Sequence, residues 1–371
     1  METSRHVAVI GAGKIGGAIA RMLSRSGDYQ IGLLDINPSS LEPYTDLPNV
    51  TTQSLDLSDP FAVGALLYPY DAVISACGFQ MNAQIAQAAA ESGVSYFDLT
   101  EDVASTQAVR DAAQQAVPGQ IFMPQCGLAP GFVGILAADM VKQFDEVDSL
   151  RLRVGALPLY PDNRLKYNLS WSTEGLINEY CNPCDAIESG QHVKVLALEG
   201  LEHLLINGVE YEAFNTSGGL GMLCETFAGR VKELNYKTLR YPGHCELMLF
   251  LIHDLGLGTK SKRELFRQLL EDAIPHTDQD KVVVRVSVTG KQQGVLREVT
   301  DTRCVVHGKL HGDDWSAIQL ATASGACAVV DLFFEGELPT QGFVKQEQVP
   351  LALLLRNRFG CQFQRADESM N

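Results

Sequence analysis

The stretch VAVIGAGKIGGAIARML, Val7 to Leu23, runs from an apolar strand through Gly11, Gly13 and Gly16 into an amphipathic helix. Each glycine at this spacing has a physical duty. The first permits a tight turn, the second lets backbone approach a pyrophosphate, and the third lets the helix pack closely on the strand. The helix start that follows, with Lys14 and Ile15 in its first turn, offers unpaired N–H groups and a positive dipole end to an anion. The next apolar run, QIGLLD, ends in Asp35, whose carboxylate can accept both hydroxyls of an adenosine ribose. The same carboxylate would repel a 2′-phosphate, and no arginine follows in DINPSS, so the spacing predicts a site for NAD rather than NADP. Asp56 and Leu57 in LDLSD are expected beside the adenine, and Ala76 and Cys77 after VISACG along the path of the cofactor.

Working outward, short apolar runs alternate with helical patterns from His6 to Pro124, which predicts βαβ units and a parallel sheet. From about Val147 the runs lengthen and alternate with a period of two, as in DSLRLRVGALP, KYNLSWS, HVKVLALEG, EHLLINGVEYEAF and KVVVRVSVTGK. That pattern predicts a mostly antiparallel sheet, with helices near 174–188, 217–228, 243–254 and 260–273. The expected class is α/β. A Rossmann-type parallel-sheet domain spans residues 1–130, an α+β substrate and dimerisation domain spans 131–312, and 313–371 returns onto the first.

Composition bounds the partners. A formal net charge of −16 over 371 residues disfavours a nucleic-acid backbone or an anionic membrane surface. No run of about 18 apolar residues is evident, and METSRHVAVIGAG leads directly into a strand, which predicts a cytoplasmic protein without a leader. Nine cysteines, an odd number in apolar surroundings, read as reduced thiols. Cys181 and Cys184 form a single C-x-x-C with no second pair, and Asn182-Pro183 reads as the cap and first residue of a helical turn, which would favour a thiolate at Cys184. His307 and His311 lie about 13 Å apart along a strand, too far to share an ion, and His244 has no second ligand at helical spacing, so no metal is expected. In KYNLSWS, a strand would put Tyr167, Leu169 and Trp171 on one face and Lys166, Asn168, Ser170 and Ser172 on the other.

The glycine loop together with FDLTEDV (97–103), PQCGLAPGF (124–132), RVGALPLYPDNRLKYNLSWSTEGLINEYCNPC (153–184), EAFNTSGGLGMLCET (212–226) and NYKTLRYPGH (235–244) closely resembles the saccharopine dehydrogenase family. Within that family it looks most like the NAD-dependent lysine 6-dehydrogenases. The similarity runs from about residue 5 to about 290, and weakens beyond 300, where VKQEQVPL replaces a proline–glutamate motif. The resemblance implies a homodimer or higher homo-oligomer with an amino-acid substrate bound where two domains meet. It implies pocket roles for Phe97, Asp98, Gly127, Tyr167, Asn168, Thr238 and Arg240, with Arg240 on a substrate carboxylate. Asp98, at the carboxyl end of a parallel strand, is the expected base or amine-orienting group, assisted by Tyr167, with Lys166 and His244 behind it. The expected reaction is oxidative deamination of L-lysine at its ε-carbon, giving 2-aminoadipate 6-semialdehyde, ammonia and NADH. The alternatives are a saccharopine dehydrogenase acting on a secondary amine, and a non-catalytic NAD-binding protein.

Overall fold

The computed structural model describes residues 4–57, 60–365 and 368. The chain divides into two compact units. The first is Met1–Ile135 with Ala321–Gln364, and the second is Leu136–Leu320 with Arg365–Asn371.

In the first unit, β1 (Arg5–Ile10), β2 (Tyr29–Asp35), β3 (Val50–Ser54), β4 (Ala72–Ser75), β5 (Ser95–Asp98) and β6 (Ile121–Met123) form a parallel sheet in the order β3-β2-β1-β4-β5-β6. A return strand, Gly342–Phe343, adds to the free edge of β6, also in parallel. Apolar runs such as Val7–Ile10 are buried because helices cover both faces of such a sheet. Helix α1 (Lys14–Ser26) follows β1 and stops where Gly27 turns left-handed at φ 89°. The order reverses between β1 and β4, the crevice at which open α/β sheets bind their ligands.

Besides the return strand, one buried carboxylate fastens segment 321–364 to the sheet. Asp331, with a fully buried side chain, accepts from Arg5 at 2.8 Å, Tyr29 Oη at 2.6 Å, Asn357 Nδ2 at 2.8 Å and both Nε and Nη2 of Arg358 at 3.0 and 2.7 Å. Two guanidinium groups and two neutral donors thus hold its carboxyl below the usual range against the opposing pull of burial. Helix Ala317–Phe334, which carries Asp331, is long and apolar enough by composition to cross a membrane, contrary to the expectation that no such stretch exists. Most of it is buried inside the protein, and its aspartate sits in this ion network, so it reads as a core helix.

In the second unit, β7 (Glu146–Pro158), β8 (Cys184–Glu188), β9 (Gln191–Val195), β10 (Glu202–Ile206), β11 (Val209–Asn215), β12 (Val231–Arg240), β13 (Asp280–Gln292) and β14 (Val295–Val306) build one mixed sheet. Its main path is β10-β11-β12-β7-β13-β14, antiparallel except where β12 lies parallel to β7. Three local expectations fail. KYNLSWS is not a strand: Lys166 is left-handed at φ 50°, a turn closes from Asn163, and the segment keeps one isolated bridge from Leu169 to His276. The helix expected over 174–188 is Thr173–Cys181, with Asn182 as its C-cap and Cys184 opening β8. Burial pushes the Cys184 thiol up to about 12, the reverse of the activated thiolate that a helix start would give. The helix expected over 217–228 is only Leu223–Phe227, since Gly218 and Gly221 adopt positive φ before it.

Replacing Asp331 by Ala strips two guanidinium groups and a buried tyrosine of their shared acceptor. It should cost about 2–4 kcal/mol, read as a lower thermal midpoint. An unchanged midpoint would show that apolar packing alone holds segment 321–364.

Candidate active site

At the carboxyl edge of the parallel sheet the glycine loop is shaped by contact. A Cβ on Gly16 would lie 1.8 Å from the Gly11 carbonyl oxygen, and one on Gly11 would meet the Ala76 carbonyl oxygen at 2.7 Å. A Cβ on Gly13, by contrast, would meet nothing within 4 Å, and Gly13 and Lys14 are exposed while Ile15 is half-buried. Gly13 also serves as the N-cap of α1 without a side-chain cap, so the first helical N–H groups face an open cradle. Asp35 is aimed by backbone: its Oδ2 accepts from Ala12 N at 2.7 Å and its Oδ1 from Asn37 N at 2.8 Å. A carboxylate has about four acceptor positions, so two remain for hydroxyl groups. Asp56 is exposed, Leu57 half-buried, and Ala76 and Cys77 half-buried where the chain leaves β4. The residues present therefore fit a dinucleotide pyrophosphate and ribose.

Asp98 is placed differently from its expected role. It is wholly buried, and Oδ1 accepts from Thr100 N and Gln125 N, both at 2.9 Å, while Oδ2 accepts from Tyr96 Oη at 2.8 Å and Asn82 Nδ2 at 3.4 Å. All four acceptor positions are used within the unit, which leaves none for a substrate amine. Burial pushes this carboxyl up to about 6, with the Gln125, Thr100 and Tyr96 donors opposing. Asp98 thus ties β5 to the loop after β6 and to the helix start at Asn82. Phe97 also departs from expectation: its buried ring packs edge-on against Phe333 at 5.6 Å, in the core. Gly127 sits inside the tight loop, where its carbonyl accepts from Phe132 N at 3.0 Å.

In the second unit the expected residues converge around Arg240, at the end of β12. Its guanidinium is 2% exposed and lies over the ring of Tyr167 at 4.9 Å and that of Tyr180 at 5.8 Å. Nε donates to Tyr180 Oη at 2.8 Å and Nη1 to the Leu239 carbonyl at 2.9 Å. Among the described residues no carboxylate is in ion-pair contact with it, though the charge of Glu179 reaches it through space. The neighbouring acid in register, Glu212, instead accepts from Gly243 N and Cys245 N at the start of helix His244–Leu249. Thr238 shares the face of β12 with Arg240 and is buried.

His244 completes the chain of bonds. Its Nδ1 lies 2.8 Å from the Leu165 carbonyl, which only accepts, so the ring proton is there and Nε2 accepts from Tyr180 Oη at 3.0 Å. Burial, then the Arg240 charge, pushes the imidazole down to about 3. Tyr167 Oη accepts from Trp171 Nε1 at 3.0 Å. Asn168, 4% exposed, gives Nδ2 to Asp162 at 3.3 Å, and its Oδ1 is buried with no partner. Lys166 is exposed and donates to the Pro242 carbonyl at 2.9 Å. Sequence reading passed over Tyr180 and Trp171; their spacing after Tyr167 is the only trace of these roles in the chain.

A parallel-sheet unit with a glycine cradle, joined to a mixed-sheet unit with a buried cation, defines a dinucleotide-binding class of fold. Residues 7–123 match the family model described as the saccharopine dehydrogenase NADP binding domain, and residues 127–357, more than half of the chain, match the saccharopine dehydrogenase C-terminal domain. The chain belongs to the saccharopine dehydrogenase family. It is 26% identical over 202 residues to the mouse mitochondrial alpha-aminoadipic semialdehyde synthase, covering 53% of this chain and 22% of that one. It is 24% identical over 269 residues to the Schizosaccharomyces pombe saccharopine dehydrogenase [NADP(+), L-glutamate-forming], covering 70% and 59%. The chain thus spans about a fifth of the mouse relative and three-fifths of the yeast one. Its fold is like that of an apo saccharopine dehydrogenase (L-Glu forming) from Saccharomyces cerevisiae, with a TM-score of 0.76 at 15% identity over 97% and 96% of the two chains.

Because His244 is neutral when folded, unfolding takes up a proton at any pH between about 3 and 6.5. Its contribution to stability is complete above that window and is lost as pH falls through it, by about 1.4 kcal/mol per unit. The stability difference between wild type and His244→Gln should shift against wild type by that slope from about pH 6 to about pH 4, measured as paired urea midpoints. Parallel pH curves would show that His244 is not held neutral.

Proposed function

We propose that this chain is an NAD-dependent dehydrogenase that removes the ε-amine of L-lysine oxidatively, with Arg240 as the seat of the substrate carboxylate. The observation that carries this reading is a buried guanidinium that no carboxylate contacts among the described residues, the charge of Glu179 acting on it only through space. Burying an unpaired charge costs several kcal/mol, and the obvious compensation is an anion that arrives with the ligand. After its bonds to Tyr180 and Leu239, Arg240 retains three of its five N–H groups, enough for a two-bond fork with a carboxylate.

One such cation supports a substrate with one carboxylate. In the second unit Arg153 shares Glu202 with Lys237, and Arg303 is bonded to Asp301 and Glu368, so of the arginines buried there Arg240 alone has no carboxylate in contact among the described residues. Saccharopine carries three carboxylates. The names of the yeast relatives favour saccharopine itself, and that is the second reading.

When bound, NAD supplies the hydride acceptor. Tyr167 and Tyr180 wall the cation and keep it dry, which strengthens its hold on a carboxylate. Hydride leaves Cε and one proton leaves the ammonium; water then adds to the imine and ammonia departs. None of the expected bases has a free acceptor: those of Asp98 are filled, His244 Nε2 accepts from Tyr180, and Lys166 donates to Pro242. Water is the proton acceptor in this reading. Asp35 supports NAD over NADP, since its two open acceptor positions suit a ribose diol and its charge opposes a 2′-phosphate.

Following reduced nicotinamide by absorbance should show turnover with L-lysine and little with saccharopine; the reverse result selects the second reading. Arg240→Met should lower kcat/KM for lysine about 100-fold with NADH affinity unchanged, and should leave stability within about 1 kcal/mol of wild type or above it. A large loss of stability instead would make Arg240 a structural group. Asp35→Ser should improve NADPH binding relative to NADH about 10-fold or more, by calorimetric titration; no change would remove Asp35 from the discrimination.

A further inference from the structure

Gln125 follows β6 at the carboxyl edge of the parallel sheet, and its backbone is left-handed at φ 67°, an uncommon state for a residue with a side chain. The residue is 3% exposed. Its backbone N–H is one of the donors to Asp98, which fixes where its Cα stands.

Its side chain can be oriented by proton counting. Thr106 Oγ1 donates its single proton to the Asp102 carbonyl at 2.9 Å. The Gln125 atom facing Thr106 at 3.2 Å must therefore be the donor Nε2, and the carbonyl Oε1 points elsewhere. That Oε1 is buried and has no donor among the described residues. An acceptor left unpaired in this way is costly to bury, and it sits on a backbone already held in an unfavourable region.

The sheet order says which part of a dinucleotide this edge faces. The glycine loop lies after β1 and Asp35 at the end of β2, so adenosine occupies the β1-β2-β3 half. The nicotinamide half then falls over β4-β5-β6, the strands that end in Ser75, Asp98 and the Gln125 loop. The group there with N–H donors to offer is the primary carboxamide.

We infer that Gln125 Oε1 is the acceptor for the amino group of the nicotinamide carboxamide, so that Gln125 sets the rotation of the ring, with Thr106 as the positioning residue that aims it. This rests on the dinucleotide reading of the first unit, not on the identity of the substrate. The bond formed is a single N–H to carbonyl bond, and no covalent step is involved.

The test is calorimetric titration of the full chain with NADH, with the reduced 3-acetylpyridine analogue, which replaces the amino group by a methyl, and with ADP-ribose, which lacks the ring. Wild type should bind NADH about 10-fold more tightly than the analogue. Gln125→Met, close to it in volume, should bind the two within about 2-fold while keeping wild-type affinity for ADP-ribose. Thr106→Val should reduce the preference to about 3-fold. A preference that persists in Gln125→Met, or is missing in wild type, overturns the assignment, the latter also being the result if only a water occupies Oε1. Should Gln125→Met fail to fold, the wild-type preference and its size in Thr106→Val decide alone. Failure of ADP-ribose to bind wild type would sink the dinucleotide reading itself, and the assignment with it.

Discussion

A positive charge that is permanent and nearly sealed from solvent sets the terms for the second unit. Arg240 cannot shed its proton, so everything within reach must tolerate or soften it. The response is aromatic and neutral: the faces of Tyr167 and Tyr180, a backbone carbonyl, and a hydroxyl whose own proton is passed to His244. That histidine is kept neutral partly by the same charge, and its ring proton in turn fixes Leu165 and the irregular loop that delivers Tyr167. A carboxylate built into the protein would have been the simpler compensation. Glu212 stands in register with Arg240 yet is turned to the start of helix His244–Leu249. The cation is thereby left without a carboxylate in contact, offset within the described residues only by the field of Glu179 and the tyrosines.

The first unit poses the opposite problem and answers it completely. The buried carboxylates of Asp98 and Asp331 are surrounded by donors drawn from distant parts of the chain, and each works as a fastening. Of these three carboxylates Asp35 is the one with acceptor positions to spare, and it lies beside the open glycine cradle. In the proposed reading, unused bonding capacity on a charged group marks those that would meet ligands, while Asp98 and Asp331, with theirs filled, hold the structure.

Much of the first unit was legible because its signals are local. The glycines, the apolar run before them and Asp35 act within a few residues of one another, and strands buried on both faces leave unbroken apolar runs. KYNLSWS misled because the same letters suit a loop that turns to bury successive side chains, here Tyr167 to Ser170. Lys166 in a left-handed conformation puts Tyr167 and Asn168 both inside, where a strand would have parted them. Asp98 was found at the right strand end, but its four donors come from residues 82 to 125, and nothing short of the fold shows that they converge. Gln125 is less legible still. Its meaning depends on where the proton of Thr106 goes.

The division of the first unit also bears on how the chain comes to fold as it is made. Strands β1 and β2 leave the ribosome early, but Asp331, the acceptor for Arg5 and Tyr29, is encoded 326 and 302 residues later. The edge strand beside β6 comes later again. Throughout translation of the intervening unit the nascent sheet has an unpaired edge and two donors without their acceptor, while residues 136–320, all of the second unit except Arg365–Asn371, are contiguous. Vectorial synthesis therefore favours the inserted unit as the earlier to mature, and places the dinucleotide cradle among the last parts to become firm.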